Sequence, residues 1–219
     1  MLTTGMEHIV SPWSAPWCGW IILALLVCAV LSEFMQPGII SQAHTSLLAQ
    51  TDRTYKDSPM NLWGQVFITL FRLGTIALAV SMSLYTGGTF GFGSFALIGG
   101  LTVAVLLVKM AGTALVDYTF QISRRFMPSY NQYSDITTIA VCLLYPGMLI
   151  VLRMVGTVAL KWLLAGVAAL FILLITYRFM RNYMVSLRAV VYVILYVMTL
   201  EVVPMGALFY LSSITIDAI

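Results

Sequence analysis

The sequence predicts an all-α protein, an integral membrane helical bundle of about six transmembrane helices with short amphipathic cytoplasmic helices. Composition is the first reason: 61% of the 219 residues are hydrophobic and 9% are charged, where a soluble domain carries roughly 25% charged residues. Patterning is the second. The apolar residues gather into runs near the ~20 that cross a bilayer, instead of alternating with polar ones. Third, the longest hydrophilic stretch, residues 37–61, is too short to fold as a soluble domain. The chain therefore reads as one membrane domain, 1–219.

The first span covers about 16–34. Trp13, Trp17 and Trp20 stand at its mouth, where indole rings favour the membrane interface, and Glu33 closes its far end. The N-terminus lacks the Lys/Arg-rich start of a signal peptide, so no cleavage is expected. In the loop 37–61, Ile40, His44, Leu47 and Leu48 have helical spacing and predict a short amphipathic helix that Ser58-Pro59 ends. The second span, about 62–85, contains Arg72. The turn TGGTFGFGS at 86–94 fits neither the dinucleotide nor the Walker spacing and reads as a tight connection.

The third span covers about 95–116, with Lys109 near its end. Beyond it Tyr118, Ile122 and Phe126 form a helical stripe that Pro128 ends. The fourth, about 136–153, is expected to be interrupted at Tyr145-Pro146-Gly147. The fifth covers about 158–179 and the sixth about 187–210. Five spans with one re-entrant run is the structural alternative. No internal repeat is visible, which argues against an inverted-repeat transporter.

Arg53, Lys56, Arg124, Arg125, Arg178, Arg181 and Arg188 all fall in loops one, three and five. By the positive-inside rule these loops are cytoplasmic and both termini lie outside. The small net charge of +3 predicts no nucleic-acid partner.

Glu201 is the residue most at odds with its surroundings. A carboxylate near mid-span costs about 3 kcal/mol on insertion scales, so it must be paired or protonated. Arg153 and Lys161 are the partners expected by depth, reaching in from the outer ends of spans four and five. Pro204 cannot donate to the carbonyl of Leu200, which leaves a backbone acceptor beside Glu201. Arg188, Tyr192, Tyr196 and Thr199 share one helical face, with Glu201 projecting to the other side. Polar groups on opposite faces imply that the last span is central in the bundle. Arg72 lies about ten residues into a span that starts on the cytoplasmic side. It is expected to snorkel to the headgroups or to pair with Glu33.

The catalytic inventory is poor. The two histidines, His8 and His44, stand in no metal or nucleophile motif, and Cys18, Cys28 and Cys142 read as packing residues. No cofactor and no enzymatic activity are expected.

The run LYVMTLEVVP at 195–204, preceded by Arg188, resembles the C-terminal signature of a family of multi-pass inner-membrane proteins of Bacteroidota, domain of unknown function 4271. Lys109, Phe120, Tyr130 and the run LLYPGMLI with Pro146 resemble its middle block. Together these cover roughly residues 60–210; the valines of EVVP replace the commoner isoleucine and leucine. The resemblance implies a location in the cytoplasmic membrane and marks Arg188, Glu201 and Pro204 as the strongest motif positions, with no activity attached.

The expectation is a non-catalytic membrane subunit or assembly factor of an envelope complex, in contact with the bilayer and with other membrane subunits or copies of itself. The alternatives are a small proton- or ion-coupled transporter using Glu201, and an intramembrane lipid-modifying enzyme.

Overall fold

A computed structural model describes residues 16–38, 40, 61–84, 91–120, 130–154, 157–183 and 198–217. It contains α1 (Pro16–Met35), α2 (Leu62–Ser83), α3 (Phe92–Phe120), α4 (Tyr130–Met154), α5 (Thr157–Tyr183) and α6 (Val203–Asp217), with a π-helical turn at Met198–Val202 leading into α6. Helices are what a chain in hydrocarbon must form, because each backbone donor then finds its acceptor within the segment. Among the described residues, five helices hold apolar stretches long enough to cross a membrane: Trp17–Met35, Leu62–Ser83, Phe92–Gly112, Ser134–Val151 and Val158–Tyr177. A shorter apolar helix, Val203–Ile214, follows. Residues 187–197 of the expected sixth span lie outside the described residues, as do Arg188 and most of the predicted amphipathic loop helix.

The α1–α2 hairpin is set by polar groups at its closed end. The Glu33 carboxylate accepts from the backbone amides of Gly38 (2.6 Å) and Ile40 (3.3 Å). Gly38 takes the left-handed conformation, φ 87°, that a side chain would resist. Asn61 then caps α2, accepting from the Trp63 amide at 3.2 Å while its amide nitrogen donates to the Met35 carbonyl at 3.1 Å. Further along, Gly74 lies so close to α1 that a Cβ there would stand 2.4 Å from Leu25 Cδ2. Small residues let membrane helices approach in this way.

The centre of the bundle is α2, which touches all five other helices. The described part of the last span, from Met198 on, does not take the central place expected for that span. α6 packs chiefly on α3 and only lightly on α2, and Val203, Tyr210, Leu211 and Ile214 are exposed on it. The wheel expectation rested on Arg188, Tyr192 and Tyr196, which lie outside the described residues.

A second correction concerns Pro146. α4 continues through it without interruption. The lost hydrogen bond to the Cys142 carbonyl is outweighed by contacts on either side. The Tyr145 hydroxyl donates to the Ile22 carbonyl at 2.9 Å, and its ring meets Phe71 at 5.5 Å. Gly147 fits against Leu163, a Cβ there standing 3.1 Å from Leu163 Cδ2. Pro146 itself faces outward. α3 also begins earlier than expected, at Phe92, where Trp17 of α1 packs on Phe92 and Phe95 with centroids 6.0 and 5.8 Å away.

Candidate functional site

Glu201 meets Lys109. The Lys109 Nζ–Glu201 Oε2 distance is 2.6 Å, with the side chains 10% and 1% exposed. The expected partners are elsewhere: Arg153 and Lys161 are exposed at the α4–α5 end of the bundle. The correction has a geometric reason. Side chains on a helix lean toward its N-terminus, and α3 begins at the end toward which α6 runs, since Ile98 packs with Leu208 and Phe209 while Lys109 meets Glu201. Lys109 therefore reaches up toward Glu201, and its long stem covers the offset in depth. A lone cation in span three and a lone carboxylate in the last span were the available signal. Assigning partners by backbone depth alone passed over it.

The turn that carries Glu201 is itself irregular. Met198–Val202 is π-helical, and α6 resumes at Val203 with Pro204 in its first turn. Proline lacks the amide that a continuous helix would direct at the Leu200 carbonyl, so the ladder shifts register just where the carboxylate points inward. The disturbance expected beside Glu201 at Pro204 takes the form of a wide turn. In hydrocarbon, an isolated charge is expensive while a hydrogen-bonded pair of opposite charges is much less so. The pairing of Glu201 with Lys109 lowers the cost of both charges.

A separate polar contact joins α2 to α4. Arg72 Nη2 donates to Thr138 Oγ1 at 2.6 Å, and that hydroxyl donates to the Ser134 carbonyl at 2.8 Å. Buried Asp135 lies one turn before Thr138 on α4. Neither expectation for Arg72 holds in its simple form. It does lean toward the start of its helix, as a snorkelling side chain would, but it ends on protein, and the Glu33 carboxylate is taken by backbone amides. Thr138 was missed because a threonine in a span carries no distinctive sequence signal.

Along the faces that meet at the ion pair, hydroxyls recur. On α3, buried Thr102 lies seven residues before Lys109 and donates to the Ile98 carbonyl at 2.8 Å. On α6, Met205, Leu208 and Ser212 follow Glu201 on one face. The Ser212 hydroxyl is fully buried with no hydrogen-bond partner among the described residues. Among the described residues no group of three or more His, Cys, Asp and Glu is placed to hold a metal ion.

The chain matches the family model described as "Domain of unknown function (DUF4271)" over residues 19–211. It belongs to the DUF4271 family. The match takes in α2 to α5, most of α1 and α6, the ion pair and the π-helical turn. No curated protein and no solved structure matches the chain.

Proposed function

We propose that this DUF4271 protein is a non-catalytic subunit or assembly factor of an envelope complex in the bacterial cytoplasmic membrane, with both termini periplasmic, and that the outer face of α3 receives another transmembrane helix. The observation that carries this reading is a ridge of small residues, Ala96, Gly100 and Ala104, spaced one turn apart and exposed. It lies on the side of α3 away from Ile98, Thr102 and Lys109, because two residues further along a helix is about 200° of rotation. Nothing lies within 4 Å of a Cβ added at Gly100. Lipid tails have no preference for such a ridge, whereas a second helix gains close backbone packing from it. The enzyme alternative loses ground, since its acid–base candidate is closely packed and salt-bridged.

The test is Gly100→Leu. The substitution fits the isolated chain, so fold and monomer stability are expected to persist, while co-purification of the native partner, or of a second copy, in mild detergent is lost. Unchanged co-purification would remove the α3 face from the reading. A wild-type chain that purifies alone even after crosslinking in the membrane would remove the subunit reading altogether.

A further inference from the structure

We draw no further inference here: the strongest candidate, the apolar patch on the first half of α2 where Leu62, Val66 and Leu70 are exposed one turn apart, carries nothing because nothing in the structure shows what covers it.

Discussion

More than half of the apolar stretch of α2 is buried inside the bundle, whereas about a tenth of that of α3 is: 56% against 11%. The two helices are neighbours, and both are rich in small residues, yet these serve opposite ends. On α2, Gly64 is pressed against Gln36, just past α1, and Gly74 against Leu25 of α1, and the hydroxyls of Ser81 and Ser83 are satisfied by carbonyls of their own helix. On α3, the glycines 93, 99 and 100 face open space, and an ion pair joins it to another helix. α2 is held by close approach over much of its length. α3 is held on one narrow face, with a charge at one level, and offers the other face to whatever lies in the membrane around it.

The contrast can be broken most severely at the charge. Replacing Lys109 by Met removes the cation that meets the buried Glu201 carboxylate, and a loss of about 3–5 kcal/mol is expected, read as a large fall in the denaturant midpoint in detergent. The double variant Lys109→Met with Glu201→Met should recover most of that loss, and a double variant as unstable as the single one would show that the pair is not what holds α3 to α6.

At the α1–α2 contact, Gly74→Ala forces Leu25 aside and should cost about 1–3 kcal/mol. Thermal unfolding followed by circular dichroism would show it, with Leu25→Ala in the same chain as the relieving change. Gly100→Ala on α3 meets nothing and should be neutral or slightly stabilising, since alanine is the better helix former by up to about 1 kcal/mol; equal losses at both glycines would erase the distinction between the two helices.

The smallest effect is expected at Tyr145. Removing its hydroxyl with Phe forfeits the bond to the Ile22 carbonyl and keeps the ring on Phe71, for a loss of about 0.6–1 kcal/mol. Hydrogen exchange at the α1–α4 contact is the sensitive measure.

Much of this architecture can be read along the chain. Runs of apolar residues identify helices to within a few residues, because the bilayer allows a span little else, and so the starts of α1 and α2 fall where expected. Pro146 shows the limit of such local rules. Its chemistry says break, but Tyr145 and Gly147 are gripped by other helices and the break does not occur. Pro204, with a π-helical turn before it, does disturb its helix. The same residue type gives opposite outcomes, and what differs is the set of contacts around each.

Glu201 marks the boundary between the two kinds of knowledge. That it must have a partner, and that Pro204 unsettles the turn beside it, follows from composition and covalent chemistry alone, since an unpaired charge in hydrocarbon costs too much. That the partner is Lys109, that Arg72 rests on Thr138, and that α2 occupies the centre depend on which helix faces lie together. Those facts arise from side-chain reach and close packing between segments about 60–90 residues apart, which no local pattern encodes.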